Sequence, residues 1–207
     1  MYPSSARVGD MHKLMINKAT RTVAMKHKVK KKQVVVLDDE NFQSSKAMYN
    51  MGRILVTERN LETFKKMKRT SKKVTVSLKK NLNYKNINAI DLDISNIDVD
   101  VLDLMGTWKK NKNIFLNRLQ NKMYSDKAIV RLTVCARGEY KSHDDCVSMV
   151  INDLKNLKCD YSIKPLKLSQ WGVQLKTHGI DPFYKDCECL TTKSNMLNFI
   201  FVIKINK

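Results

Sequence analysis

The sequence has few of the residues that mark linkers, and it lacks the motifs of common catalytic sites. Only 6 Gly and 3 Pro occur among its 207 residues, so most of the chain is expected to fold. No stretch approaches the ~20 apolar residues of a transmembrane helix, and no secretory signal is recognisable. A phosphate-binding glycine loop, a nucleophile motif and an H-E-x-x-H helix are also missing. We therefore expect no transmembrane segment, no enzyme activity, no cofactor and no small-molecule substrate.

The five cysteines are an odd number, which argues against a disulfide framework and for a reducing, intracellular compartment. Cys187 and Cys189, with Cys159 and His178, would be the candidate set for a zinc ion. The paired C-x-x-C knuckles of structural zinc sites are absent, however. The alternative is that these cysteines alternate between the two faces of a strand, and we expect no metal.

Acidic residues are scarce. The chain has 20 Asp and Glu against 39 Lys and Arg, a net charge of +19, which must be neutralised by nucleic acid or an anionic membrane. Residues 1–36 contain nine basic residues and the single acid Asp10. This basic N-terminal arm would lie along a phosphate backbone through Lys26, Lys28, Lys30, Lys31 and Lys32. A solvated tail or a mitochondrial presequence would have the same composition.

Residues 37–127 are interpreted as a lineage-specific mixed α/β extension. A short β-branched run ends at Leu37, and a helix is expected to begin in the acids that follow it. The five aspartates between Asp91 and Asp103 are interpreted as one face of an element rather than as a metal or acid–base site. Further predictions are helices over Glu58–Lys68 and Val101–Tyr124 and a strand over Lys73–Lys79.

Residues 128–207 show the clearest local patterns. Alternation predicts a strand from Ala128 to Cys135 and another from Phe199 to Ile205. Ser142 followed by acids predicts a helix N-cap, and apolar residues at helical spacing extend that helix to residue 158. Pro165 places its own strand, residues 161–168, at a sheet edge. A helix packed on a mainly antiparallel sheet follows from this order.

The same stretch resembles small-subunit ribosomal protein ten. Val130-Arg131-Leu132 stands where that family has its first strand, and Ile163-Lys164-Pro165-Leu166 where it has a Pro-bearing strand. Trp171 to His178 is similar to the family's aromatic-x-Val segment, and Glu188-Cys189-Leu190-Thr191 to its Glu-x-x-Thr. The related mitochondrial large-subunit protein forty-eight is similar as well. The resemblance implies an α+β fold: a ferredoxin-like helix-on-antiparallel-sheet domain at residues 128–207, preceded by a basic, partly helical N-terminal extension.

The resemblance also implies a structural constituent of the ribosome, in a mitochondrion or otherwise in the cytoplasm. Its partners would be ribosomal RNA and neighbouring ribosomal proteins. An extended hairpin over residues 161–190 would reach into the RNA. Trp171 would stack on a base or fill the core, and His178 would contact RNA or be an ordinary loop histidine. The RNA-binding candidates, with the N-terminal lysines above, are Arg131, Lys164, Lys167, Trp171, Lys176, His178 and Lys185.

A viral matrix-type protein is the alternative function. Such a protein would also be basic and free of catalytic motifs, and it would bind nucleocapsid and anionic membrane through lysine-rich surfaces.

Overall fold

The computed structural model describes residues 5–30, 33–38, 42–70, 82–104, 106–136, 142–173, 185–191 and 195–206. Five helices and eight strands lie in these ranges. The helices are α1 (Ser5–Lys26), α2 (Gln43–Ala47), α3 (Leu61–Thr70), α4 (Trp108–Gln120) and α5 (His143–Lys155). The strands are β1 (Gln33–Leu37), β2 (Arg53–Thr57), β3 (Leu82–Lys85), β4 (Ile97–Asp103), β5 (Tyr124–Cys135), β6 (Tyr161–Pro165), β7 (Leu190–Thr191) and β8 (Met196–Ile205). No helix in these ranges is long and apolar enough to cross a membrane.

All eight strands belong to one sheet, in the order β3-β2-β1-β4-β5-β8-β6, with β7 also pairing with β8. The strands from β3 to β5 run parallel to one another. β8 is antiparallel to β5, β6 and β7. The sheet takes strands from both sides of residue 128, where the sequence had suggested a domain boundary.

Both faces of the sheet are covered, which is the usual condition for parallel strands. In β1, Val34 and Val36 face one apolar cluster and Val35 faces the other. The first cluster includes α1 and α2, and the second includes α4 and α5. The consecutive β-branched residues of β1 are therefore explained by burial on both sides.

The N-terminal segment is a helix rather than an extended arm. Met15, Ile16, Ala19 and Val23 of α1 are at most 3% exposed and belong to the first apolar cluster. Their spacing covers one face of the helix, and burial of that face holds α1 on the sheet. Lysines dominate the composition of residues 1–36, and this obscures the apolar stripe.

Local predictions for the C-terminal region are confirmed. The Ser142 hydroxyl accepts a hydrogen bond from the backbone N–H of Asp145 at 3.1 Å and caps α5. Residues 128–135 lie in β5 and 199–205 in β8, and the strand that contains Pro165 is an edge strand. The strand predicted over residues 161–168 ends earlier, at Pro165, and a 3₁₀ turn follows at Leu168–Gln170.

The ferredoxin-like fold prediction is wrong. β5 pairs on one side with the antiparallel β8 and on the other with the parallel β4. β6 and β7 both pair with β8, and within the described residues they do not pair with each other as a hairpin. Alternation identifies strands but not their partners, and here the partner lies in the segment that was interpreted as an extension.

Predictions for the middle of the chain are only partly confirmed. A helix does follow Glu58, beginning at Leu61, whereas residues 97–103 are a strand and the next helix starts at Trp108. The strand expected over Lys73–Lys79 lies outside the described residues.

Two aspartates of β4 are buried rather than exposed. Asp98 accepts hydrogen bonds from the backbone N–H of Gln33 at 2.8 Å and from the Ser125 hydroxyl at 2.6 Å. Asp100 is fully buried and forms an ion pair with Arg118 of α4, which is 1% exposed; Nη1 of the arginine donates to both carboxylate oxygens. The Tyr124 hydroxyl donates to the same carboxylate at 2.8 Å.

The local electrostatics of this network favour a charged arginine and a neutral tyrosine. Burial lowers the pKa of Arg118, but the neighbouring Asp100 more than offsets that effect and holds the pKa above its ordinary value. Burial, and then the Asp100 charge, raise the pKa of Tyr124 well above its ordinary value. Because Arg118 lies in α4, Asp100 in β4 and Tyr124 in β5, these contacts hold α4 against the two strands.

Arg118→Met should destabilise the protein by about 3–5 kcal/mol, because it leaves the Asp100 carboxylate buried without its counter-ion. Urea unfolding followed by circular dichroism measures the change. The double variant Asp100→Asn/Arg118→Met removes both charges and should recover part of the loss. Equal unfolding free energies for Arg118→Met and the wild type would show that the ion pair does not stabilise the fold.

Candidate active site

A cavity of about 380 Å³ opens at the carboxyl ends of the parallel strands. This volume lies at the lower end of the range of ~300–1,000 Å³ for small-molecule sites. Residues that follow β1, β2, β3 and β4 line it, together with residues of α1 and α4. The polar lining side chains are Lys13, Asp38, Thr57, Glu58, Arg59, Asn60, Asn88, Asp103 and Asn111, and the apolar ones are Leu37, Ile87, Ala89, Leu104 and Ile114.

The position of this cavity follows from the strand order. The chain moves outward from β1 to β2 and β3 and then returns to the other side of β1 for β4. At that reversal the connections after β1 and β4 diverge to opposite faces, and a crevice forms between them. Asp38 follows β1 and Asp103 ends β4, and both line the cavity.

Asp38 organises the connection after β1. It is 6% exposed, and its two carboxylate oxygens accept the backbone N–H groups of Ser44 and Ser45, at 3.4 and 2.7 Å. Phe42, directly before α2, has a positive φ of 54° and is completely buried. The first amides of α2 are thus bonded to the chain's own carboxylate.

Glu58 is held at the end of β2 by its neighbours. One carboxylate oxygen, Oε1, accepts the backbone N–H of Asn60 at 2.6 Å. The Asn86 side chain donates to the carbonyl oxygens of Glu58 and Arg59, at 2.7 and 3.3 Å. Oε2 of Glu58 makes no hydrogen bond within the described part of the chain, which leaves it available to a ligand.

Asp103 is shared between two cations. Its Oδ2 lies 3.3 Å from Nζ of Lys13 in α1 and 3.1 Å from Arg131 in β5. Arg131, which is 1% exposed, also donates to the side-chain oxygen of Asn17 in α1. These contacts tie the N-terminal helix to the edge of the cavity.

Arg118 holds the connection after β3 in place through a hydrogen bond. Its guanidinium donates to the carbonyl oxygen of Ala89 at 3.4 Å while pairing with Asp100. Asn111 of α4 lines the same side and donates to the carbonyl oxygen of Thr107 at 3.1 Å. The buried network is thereby connected to the cavity wall.

Two of the RNA-binding candidates, Lys26 and Lys164, both lie near His27. Lys26, Lys28 and Lys30 are exposed at the opposite end of the sheet from the cavity, and Lys30 lies 3.6 Å from Asp126. Lys164, Lys167 and Lys185 are exposed, and Lys167 lies 3.7 Å from Asp186. Lys31, Lys32, Lys176 and His178 lie outside the described residues.

Two other candidates are buried. Arg131 forms the contacts given above, and Trp171 is fully buried, with its indole N–H donating to the carbonyl oxygen of Leu166 at 3.2 Å. Of the two interpretations of Trp171, the structure agrees with the core residue. None of the five cysteines forms a disulfide, and no cluster of metal ligands occurs among the described residues.

Sequence reasoning missed the acids that line the cavity. Asp38 and Glu58 each follow an apolar, β-branched run, and Asp103 ends a strand that is buried along its length although it contains Asp98 and Asp100. Such a series of buried strands, each followed by an acid, is the signal of a parallel sheet with a ligand site at its carboxyl edge. The net positive charge instead favours lysines as candidate site residues.

Solved structures with this fold were found, although no protein-family model and no curated protein matches the sequence. Magnesium protoporphyrin IX methyltransferase from Synechocystis PCC 6803, solved with bound SAM, has a TM-score of 0.57 at 7% identity, covering 95% of this chain and 80% of that chain. A putative rRNA-methylase from Clostridium thermocellum has a TM-score of 0.52 at 6% identity, covering 86% and 89%. The structure of a fibrillarin/Nop5p complex gives 0.53 at 12% identity, covering 84% and 72%. The chain therefore has a Rossmann-like fold, which it shares with these solved structures.

These findings correct several predictions. The chain resembles neither ribosomal protein ten nor protein forty-eight in its fold, so the inferred ribosomal role and the ribosomal-protein partners are wrong. The viral matrix alternative is wrong for the same reason. The expectation of a non-enzyme without a small-molecule substrate is overturned, because the similar structures are those of methyltransferases and one of them was solved with SAM.

Arg131→Met should destabilise the protein by about 3 kcal/mol, since Asn17 and Asp103 both lose a buried partner. Backbone amides of α1 should exchange with solvent faster than those of α5, because the lost contacts anchor only the first helix. Hydrogen exchange with mass spectrometry measures this difference. Lys18→Gln, an exposed change in α1, is the control and should alter stability by less than about 0.5 kcal/mol. Uniform acceleration across both helices would contradict a specific anchor.

Proposed function

We propose that this protein is a methyltransferase that binds S-adenosylmethionine in the cavity at the carboxyl ends of β1, β2 and β4. The observation that carries the proposal is the acidic cavity at the strand-order reversal of this fold. Glu58, with one carboxylate oxygen unbonded, follows β2 about twenty residues after the end of β1. That is the separation at which nucleotide-binding α/β folds place the acid that binds a ribose hydroxyl.

The charge of the cavity suits S-adenosylmethionine. The sulfonium and ammonium groups of this molecule are positive, and its single carboxylate is negative. Asp38, Glu58 and Asp103 line the cavity together with Lys13 and Arg59. Because Arg131 also pairs with Asp103, acids and cations are equal in number, and the carboxylates of Asp38 and Glu58 are the groups that would attract the two positive groups of the ligand.

Individual groups fit parts of the molecule. Oε2 of Glu58 would accept from the ribose diol, and Ile87 and Ala89 would border the adenine. Thr57 also lines the cavity, and its buried hydroxyl has no hydrogen-bond partner among the described residues. A buried unpaired hydroxyl is costly without a partner, and a bound ligand would supply one.

A dinucleotide fits less well. Pyrophosphate is normally held by glycine-rich backbone and by free N–H groups at a helix N-terminus. Here the sequence from Asp38 to Ser45 contains no glycine. The amides of Ser44 and Ser45 are bonded to Asp38, whose negative charge would repel a phosphate.

The chemistry that S-adenosylmethionine supplies is an electrophilic methyl group, which passes from the sulfonium to a nucleophilic atom of the substrate. The residues of this chain would act by binding and orientation. Glu58 fixes the nucleoside end, and Lys13 offers a cation to the carboxylate of the amino-acid end. Leu37, Leu104 and Ile114 limit the access of water, which strengthens the electrostatic contacts inside the cavity. Asp103 is paired with Arg131 and Lys13, so its role is to position α1.

Glu58→Gln should weaken S-adenosylmethionine binding by about ten- to a hundredfold, because hydrogen bonds to a charged group contribute about 1.5–3 kcal/mol. The Asn60 N–H bond can persist with the amide oxygen, so thermal stability should change little. Isothermal titration calorimetry with S-adenosylmethionine measures the affinity.

Glu62→Gln, an exposed change at the start of α3, is the matched control and should bind as the wild type does. NAD should not bind to either protein. Absence of S-adenosylmethionine binding to the wild-type chain would reject the proposed function, and equal affinities for Glu58→Gln and Glu62→Gln would reject the assigned ribose contact.

A further inference from the structure

Three lysines converge on one corner of the sheet, at the end opposite the cavity. Lys127 in β5 is directly opposite Lys204 in β8 in the strand register. Lys164 in β6 pairs with Val202, so it is the diagonal neighbour of Lys204 on the same face. Alternation along each strand puts the three side chains on the face that carries α1, since Ile129 and Val202 face the same apolar cluster.

The end of α1 adds two more basic groups. Lys26 is the last residue of the helix, and His27 follows it. Burial lowers the pKa of His27, and the nearby positive charges of four lysines lower it further; these are Lys127, Lys26, Lys204 and Lys164. All five groups therefore share one electrostatic environment, and we call them the basic corner.

The basic corner lacks counter-ions within the described residues. None of its four lysines forms an ion pair there. The acids beside it are already paired, Asp126 with Lys30 at 3.6 Å and Asp160 with Lys122 at 2.6 Å. Like charges directly opposite each other on neighbouring strands destabilise a sheet, so the arrangement of Lys127 and Lys204 costs stability in the isolated chain. A function that needs an anion at this place explains why that cost is tolerated.

We propose that the basic corner binds the phosphate backbone of a nucleic acid, which is the substrate of the methyltransferase. The identification as substrate rests on the proposed function; the binding itself does not. Thr133 of β5 is level with Asp103 at the cavity edge, and it lies six residues beyond Lys127, a distance of about 20 Å along a strand. A folded or double-stranded nucleic acid is long enough to contact both places at once. A mononucleotide is not.

An anionic membrane is the competing partner for a lysine-rich surface. Peripheral membrane contacts combine such lysines with a continuous apolar surface that enters the lipid. Met25 is the exposed large apolar residue described in α1 beside the basic corner, and Ile205 alternates to the opposite face from Lys204. Isolated apolar residues do not make such a surface, and the observations favour nucleic acid.

The test compares two variants of equal charge. The first, Lys127→Gln/Lys164→Gln/Lys204→Gln, neutralises the basic corner. The second, Lys66→Gln/Lys85→Gln/Lys158→Gln, removes three exposed lysines elsewhere. Fluorescence anisotropy with a labelled 20-nucleotide RNA, its duplex and a DNA duplex is measured at several salt concentrations.

The basic-corner variant should bind at least one of these nucleic acids at least about tenfold more weakly than the wild type at low salt. The slope of log affinity against log salt should fall by about 2 to 3, because each lost phosphate contact removes ~0.7–0.9. The control variant should lose much less. Its melting temperature and that of the basic-corner variant should not fall, which excludes misfolding as the cause.

Two further measurements separate the possible failures. The pKa of His27, followed by NMR, should rise in the basic-corner variant if the lysines surround it as described. Calorimetry with S-adenosylmethionine tests the proposed function independently, because the cavity is at the other end of the sheet. Equal nucleic-acid binding by the two variants would overturn the proposal. So would binding of phosphatidylserine vesicles, lost in the basic-corner variant, without binding of any nucleic acid.

Discussion

The arrangement of the candidate site depends on the buried guanidinium of Arg131. It emerges from the middle of β5 toward α1, where it contacts Asn17, and it reaches Asp103 at the end of β4. One side chain thus joins the N-terminal helix, the central sheet and the cavity edge. A buried arginine persists only when its partners have good geometry, so each partner restricts the positions of the others. Burial of its apolar face holds α1 on the sheet, and the contacts of Arg131 determine where on the sheet the helix lies.

The cavity and the basic corner lie at opposite ends of the strands and differ in charge. Acids that follow β1, β2 and β4 collect at the carboxyl edge, while lysines that flank α1, β5, β6 and β8 collect toward the amino edge. The net charge of +19 therefore does not describe the surroundings of the cavity. The two proposed ligands, a cationic small molecule and an anionic polymer, would be attracted to different ends of one sheet. Neither field would cancel the other, because the ends are separated by more than about one Debye length at physiological salt.

Helix ends and individual strands could be predicted from the sequence where neighbouring residues alone determine them. Ser142 as a helix cap, the alternation of β8 and the edge position of Pro165 depend on neighbouring residues and on general rules. The burial of Arg131 could not be predicted, because an alternating strand does not reveal whether its second face is also covered. β4 and β5 pair in parallel, and the connection between them contains α4. The sequence therefore has no hairpin-turn signal that would identify these two strands as partners. The candidate site requires that pairing, and it could not be predicted without the sheet order.

The absence of glycine after β1 is consistent with the positive charge of the proposed ligand. A phosphate needs close backbone approach and free amides, which glycine and an open helix end supply. Here Asp38 occupies the amides of Ser44 and Ser45, and Phe42 adopts a positive φ while filling the core. The connection is thereby fixed by its own side chains, and a carboxylate is placed at the cavity wall. Such a connection opposes an anion and accommodates a cation, so it fits the proposed ligand, S-adenosylmethionine, better than it fits a dinucleotide.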